Sequence, residues 1–120
     1  MKLKIIKFKS VKSTNDKAIK LIQTGKITPG LITAEIQTKG RGTMGKKWIS
    51  GKGNIFISIF FKVNFSKIKI ENFLMINAKI IKKVLKGYIA KNIIIKKPND
   101  LLVENKKICG ILQEVIEYNK

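Results

Sequence analysis

Gly40 to Trp48, GRGTMGKKW, gathers three glycines, the only arginine of the chain and the only tryptophan. Glycine lets backbone N–H groups approach a ligand closely, and neighbouring cations neutralise its charge. The segment could therefore wrap an anion. It is neither GxxxxGK[ST] nor a GxGxxG turn opening a helix. A tight strand connection with solvated lysines explains the same residues as directly. Two other polar groups could do chemistry. Ser13-Thr14-Asn15-Asp16 reads as a helix start, with Ser13 as the cap and Asp16 three residues later as a shortened capping box; the same polar side chains serve either as a simple cap or as ligand contacts. Gln37 ends an alternating strand, on the face opposite the apolar one.

Composition restricts the chemistry. With 120 residues, 44% of them hydrophobic, the chain supports one folded domain over 1–120. It has no histidine, which removes Ser-His and Cys-His catalysis and most zinc sites. Its one cysteine, Cys109, excludes an internal disulfide and fits a reducing cytoplasm; flanked by Ile108 and Gly110, it reads as a buried, inert thiol. Net charge is +19, from 26 basic and 7 acidic residues. That invites a nucleic-acid-binding reading. The 25 lysines, however, are dispersed, with no basic block and no RNP-like or zinc-ligand motif, and 23 isoleucines and 9 asparagines point to a general compositional bias. The expected consequence is weak, salt-sensitive adhesion to polyanions without sequence specificity. No uninterrupted apolar run reaches membrane-spanning length, and MKLKIIKFK alternates like a strand, not a signal peptide.

The elements that must position these residues follow from periodicity. Leu3 to Lys9 reads as a strand. Ser13 caps a helix carrying Ala18, Ile19 and Ile22 on one face and stopped by Gly25. Leu31 to Thr38 alternates, with Ile32, Ala34 and Ile36 inward. Asn54 to Val63 is apolar enough for a central strand, with Phe56, Phe60 and Phe61 in the core. Asn72 to Leu85 reads as a helix packing through Phe73, Ile76, Ile80 and Val84, with Lys79, Lys82, Lys83 and Lys86 outside. Ile93 to Lys96 is a short strand. Pro98-Asn99-Asp100 is a turn, and 101–104 with 108–115 form a hairpin around Asn105-Lys106. This is an α+β chain with a mixed β-sheet packed by helices.

Four short signals stand in one order: STN at 13–15, Q-x-x-G-R-G-x-x-G-x-x-W from Gln37 to Trp48, K-x-P-N-D-L from Lys96 to Leu101, and K-x-x-G-I-L-x-E from Lys107 to Glu114. Together they resemble the catalytic domain of biotin protein ligases, within the biotin/lipoate ligase family, over residues 13–114. The resemblance implies the class II aminoacyl-tRNA synthetase/biotin ligase catalytic fold. It also implies a two-step acyl transfer. Biotin attacks the α-phosphate of ATP, normally with Mg2+, and the biotinyl-adenylate then acylates a lysine of a biotin carboxyl carrier domain such as that of acetyl-CoA carboxylase.

By the same resemblance, Ser13, Thr14, Asn15 and Gln37 bind the biotin head group. Gly40, Arg41, Gly42, Thr43 and Trp48 belong to the loop that closes over biotin and phosphate. Lys107 meets the carboxylate and adenylate, and with Arg41 it is the expected catalytic residue. Asn99 and Asp100 lie near the phosphates, with Asp100 the expected magnesium ligand. The residue types suit these tasks: a ureido ring needs hydroxyl and amide partners, and joining two anions needs cations. Thr43 stands where the family has a second loop arginine, and Lys97 where it has a tryptophan. A glycine-rich strand that completes the nucleotide site in the family is expected beyond Lys120, so the chain reads as truncated. A biotin- or adenylate-binding module without turnover is the alternative function, and a basic nucleic-acid-binding domain a further one.

Overall fold

The computed structural model describes residues 2–25 and 29–117. They fall into two compact units, one formed by residues up to Val63 together with the segment from Glu114, the other by Asn64–Gln113.

The first unit is a three-stranded mixed sheet. Strands β1 (Lys4–Val11) and β2 (Gly30–Gln37) are parallel, and β5 (Phe56–Phe60) is antiparallel to β2, giving the order β1-β2-β5. A parallel pair needs a crossover, and helix α1 (Thr14–Gln23) supplies it. Ser13 caps α1, its Oγ accepting from Asp16 N–H at 3.2 Å. Gly25 follows the helix at φ 77°, a left-handed stop suited to glycine. Ala18, Ile32 and Phe60 form the buried centre, with Ile6, Phe8, Leu21 and Ile22 against them. Gly30 is required there, since a Cβ would stand 2.3 Å from the Phe60 ring.

Three sequence expectations are corrected in this unit. Among the described residues β5 is an edge strand, and β2 is the central one. Phe61 is exposed, because alternation from buried Phe56 and Phe60 sends it to the other face. Ile36 is also exposed: β5 pairs only with Gly30–Ala34, so Ile36 has a strand beside it on the β1 side alone.

Beyond β2 run the short strands β3 (Gly40–Arg41) and β4 (Lys47–Trp48), paired antiparallel around a 3-10 turn at Thr43–Gly45. Met44 and Gly45 take φ of 58° and 72° there.

In the second unit, α2 (Ile70–Leu85) accompanies an antiparallel sheet of β6 (Ile94–Lys96), β7 (Asp100–Val103) and β8 (Lys106–Gly110). The buried face of α2 is not the expected one. Ala78 is fully buried and Leu74, Ile81 and Leu85 are half-buried, whereas Ile76, Ile80 and Val84 are exposed. The helix carries two apolar stripes, and the one centred on small Ala78 allows the closer approach. The hairpin is also shifted. Its two-residue turn is Glu104-Asn105, both at positive φ (51° and 62°), as a type I′ connection requires. The pairing runs one step past the end of β8, where Ile111 N–H donates to Asn99 O at 2.9 Å beside the Asp100–Gly110 pair.

Candidate functional site

The parallel register places the candidate residues side by side. Val11 pairs with Gln37, and two more bonds carry the pairing past the strand ends: Thr38 N–H to Val11 O (2.9 Å) and Lys39 N–H to Lys12 O (2.8 Å). The first turn of α1 therefore lies beside the entrance to the glycine loop, and STN meets Gln37 and Arg41.

A hydrogen-bonded chain joins them. Thr14 N–H and Oγ1 both donate to Gln37 Oε1, at 2.8 and 3.0 Å. Gln37 Nε2 donates to Ser50 Oγ at 3.0 Å, and Ser50 Oγ donates to Trp48 O at 3.0 Å. Ser58 Oγ donates to Thr14 Oγ1 at 2.7 Å and also lies against Asn15 Oδ1; its single proton is shared between the two acceptors. Asn15 Nδ2 donates to Glu114 Oε1 at 3.0 Å. Among the described residues the buried polar side chains are Ser13, Thr14, Ser50 and Ser58, and all but Ser13, which caps α1, belong to this cluster. A buried hydroxyl without a partner is costly, and here each has one. Gly40 makes the packing possible: a Cβ on it would lie 2.5 Å from Ser50 Oγ, 2.7 Å from Trp48 O and 2.9 Å from Gln37 Nε2.

Arg41 lies at the open side. Its Nε and Nη2 donate to Asp16 Oδ1 at 3.0 and 2.7 Å, and its Nη2 and Nη1 to Glu114 Oε1 and Oε2 at 2.8 and 3.1 Å. The hydrogen bond to Glu114, opposed by partial burial and aided by Asp16, raises the guanidinium pKa. The Arg41 hydrogen bond in turn holds the Glu114 carboxyl below the usual carboxylate range, against a smaller opposing effect of burial.

The second unit holds its own polar group. Asn99 Nδ2 donates to Ile111 O at 3.0 Å, pinning the turn after the cis Lys97–Pro98 bond. Lys107 Nζ lies 3.0 Å from Asp100 Oδ1. Among the described residues no three His, Cys, Asp or Glu side chains come together as a metal cage. Asp100 is one carboxylate already facing an ammonium group, a donor set that suits an ion carried in on nucleotide phosphates better than a resident metal. Burial pushes the Cys109 thiol up, Lys107 opposes and Asp100 adds a smaller rise; the residue is half-buried rather than buried as the sequence suggested.

Sequence reasoning placed Thr14, Asn15, Gln37, Gly40 and Arg41 together, and the structure does so. Ser13 spends its hydroxyl on the helix cap. Gly42 and Trp48 are half-buried, and Thr43 is exposed on the turn. Ser50, Ser58 and Glu114 are site residues that the sequence reading does not single out, and Asp16 enters it only as part of the helix start. Ser58 had a signal, a lone polar residue at an inward position between Phe56 and Phe60; Ser50 had none.

This α+β scaffold gathers buried hydroxyls and an amide beside one arginine, the donor and acceptor types with which proteins hold polar rings and anions. The description "Biotin/lipoate A/B protein ligase family" matches residues 7–120, and the chain belongs to that family. Among curated relatives, the bifunctional ligase/repressor BirA of Escherichia coli is 32% identical over 83 residues, 68% of this chain and 26% of the relative. BirA of Bacillus spizizenii is 30% identical over 106 residues, 88% of this chain and 33% of the relative. A solved biotin protein ligase from Aquifex aeolicus, in complex with biotin and ATP, superposes with a TM-score of 0.79 at 26% identity, covering 93% of this chain and 47% of that one. The biotin acetyl coenzyme A carboxylase synthetase of Helicobacter pylori, with bound biotinylated ATP, gives 0.75 at 25% identity, covering 97% and 56%. The chain thus spans about a quarter to a third of these curated relatives and about half of these solved chains.

Proposed function

We propose that the chain binds biotin and ATP, forms biotinyl-adenylate, and passes the biotinyl group to a lysine of a biotin carboxyl carrier domain. The observation that carries this reading is the buried Ser58–Thr14–Gln37–Ser50 chain beside Arg41, in a member of the ligase family. Thr14, Asn15 and Gln37 would exchange hydrogen bonds with the ureido ring, whose donors and acceptor match hydroxyls and amides. In the first step a biotin carboxylate oxygen bonds to the α-phosphorus and pyrophosphate leaves. In the second the carrier amine attacks the acyl carbon, an amide forms, and AMP leaves. Neither step needs a protein nucleophile, which suits a chain without histidine. Positioning and charge do the work. Arg41 offsets the anions brought together, Lys107 meets the carboxylate and adenylate, and Asn99 supports the turn that presents Asp100. Magnesium would enter with the ATP phosphates, with Asp100 as its protein oxygen, and would offset phosphate charge. In this reading the two units serve one catalytic domain of a cytoplasmic enzyme; among the described residues no helix is long and apolar enough to cross a membrane.

The test is biotin-dependent exchange of labelled pyrophosphate into ATP, with biotin affinity measured by calorimetry. Exchange that falls at least tenfold in Lys107→Ala and holds in Lys86→Ala supports the proposal. Biotin binding without exchange would select the non-catalytic module instead, and neither binding nor exchange would sink both.

A further inference from the structure

Glu114 closes the K-x-x-G-I-L-x-E segment, and the proposed chemistry gives it no task. Its carboxylate grips the Nη1/Nη2 end of Arg41 through both oxygens, at 3.1 and 2.8 Å, while Asp16 takes Nε and Nη2 from the side. A guanidinium offers five N–H donors, and four are used in this way. Arg41 therefore cannot take an incoming anion in bidentate fashion unless one carboxylate leaves.

The two are not equally free to do so. Asp16 lies in the first turn of α1, its own N–H bonded to the Ser13 cap. Glu114 lies in 111–117, which forms no helix or strand. The end-on, two-oxygen geometry of Glu114 is also the one that a substrate carboxylate or phosphate adopts on arginine. We infer that Glu114 fills the oxyanion seat of Arg41 as an internal competitor, and that Asp16 is the positioning residue that orients Arg41 for either occupant. Departure of Glu114 also releases Asn15 Nδ2, which donates to the same carboxylate, so one displacement readies two groups.

This rests on the biotin reading only for its first probe. The two carboxylates should act with opposite sign, which a shared structural role would not produce. In calorimetry, Glu114→Gln and Glu114→Ala should bind biotin about two- to fivefold tighter than the native chain, the range expected from removing a partly exposed ion pair that competes with ligand. Asp16→Asn should bind biotin more weakly. Neutral biotinamide should show no gain with either Glu114 variant. Equal or weaker biotin binding by both Glu114 variants, or an equal gain with the amide, would overturn the inference. If the native chain binds no biotin, the proposed function fails and inorganic pyrophosphate becomes the probe. A gain in Glu114→Gln that disappears when Arg41→Gln is added supports the seat as a phosphate seat, and no gain overturns it.

Discussion

Gly40→Ala tests whether the glycine loop is built around a close approach. The new Cβ would meet a backbone carbonyl, Trp48 O, at 2.7 Å, and two polar atoms of the buried chain at 2.5 and 2.9 Å. Trp48 O is backbone and Ser50 Oγ ends a short side chain, so neither can swing aside, and Gln37 Nε2 can do so only by giving up its bond to Ser50. Overpacking of this kind costs about 1–3 kcal/mol, and loss of the Gln37–Ser50 bond adds roughly 0.5–1.5 kcal/mol. At about 2.1 cal/mol/K per residue, a chain of this length loses roughly 4 °C of Tm per kcal/mol, so a fall of about 6–18 °C is expected. Two controls separate causes. Gly30→Ala strikes the core ring of Phe60 at 2.3 Å and should lower Tm comparably, yet leave biotin affinity intact in the folded protein. Gly51→Ala meets nothing within 4 Å and should change stability by less than about 0.5 kcal/mol. The assays are thermal circular dichroism and calorimetry with biotin, performed well below each Tm. A Gly40→Ala protein with native Tm and native biotin affinity would refute the argument that the site depends on backbone approach at this position.

Three further outcomes are expected. Because Arg41 holds the Glu114 carboxyl below its ordinary value of 4.5, the pair stabilises the fold above that pH and the contribution is lost as pH falls through the depressed value; denaturation from pH 6 to 3 should be flatter in Glu114→Gln, and parallel curves would contradict the pairing. Cys109, raised by burial, should react with iodoacetamide at pH 8 at least several-fold more slowly than the urea-unfolded chain, and equal rates would show the thiol to be open. Thr43 is exposed on the 3-10 turn; if the chain forms biotinyl-adenylate, Thr43→Arg should hold it about ten- to hundredfold more tightly, the span of one charge-assisted hydrogen bond, and mass spectrometry should show less scattered self-biotinylation than in the native chain.

Much of this arrangement is legible in the residues. The cap at Ser13, the alternation of β2 and the stop at Gly25 are local, so local rules recover them. What escaped is decided by partners far apart in sequence. Helix α2 carries two apolar stripes of similar strength, and period alone does not say which packs; the choice fell to the stripe with Ala78. The 104–105 turn places Glu104 at positive φ, a position that residue type would not suggest. Ser50 joins Gln37 across 13 residues and Ser58 joins Thr14 across 44, so the neighbourhood marks Ser58 as an inward polar residue but names the partner of neither. The site was legible where motif and fold coincide, at Thr14, Gln37, Gly40 and Arg41.

Charge shows which contacts carry information. With 26 basic residues and 7 acidic ones, a carboxylate meets a lysine often by composition alone, and the exposed Lys91–Glu104 pair at 3.0 Å calls for no further account. Two carboxylates converging on the only arginine are a different matter, because nothing in the excess of lysine requires it. The planar fork is what both need: Asp16 uses Nε and Nη2, and Glu114 uses both terminal nitrogens. Arg41→Lys keeps the charge and removes the fork. A single ammonium cannot span both carboxylates with four directed bonds, so the Glu114 carboxyl should return toward its ordinary pKa. Its titration, followed by NMR of the side-chain carboxyl carbon, should shift upward in Arg41→Lys nearly as far as in Arg41→Gln. A lysine variant that leaves the Glu114 titration at its native position would show that charge alone organises this corner, and that the guanidinium geometry on which the oxyanion seat depends is incidental.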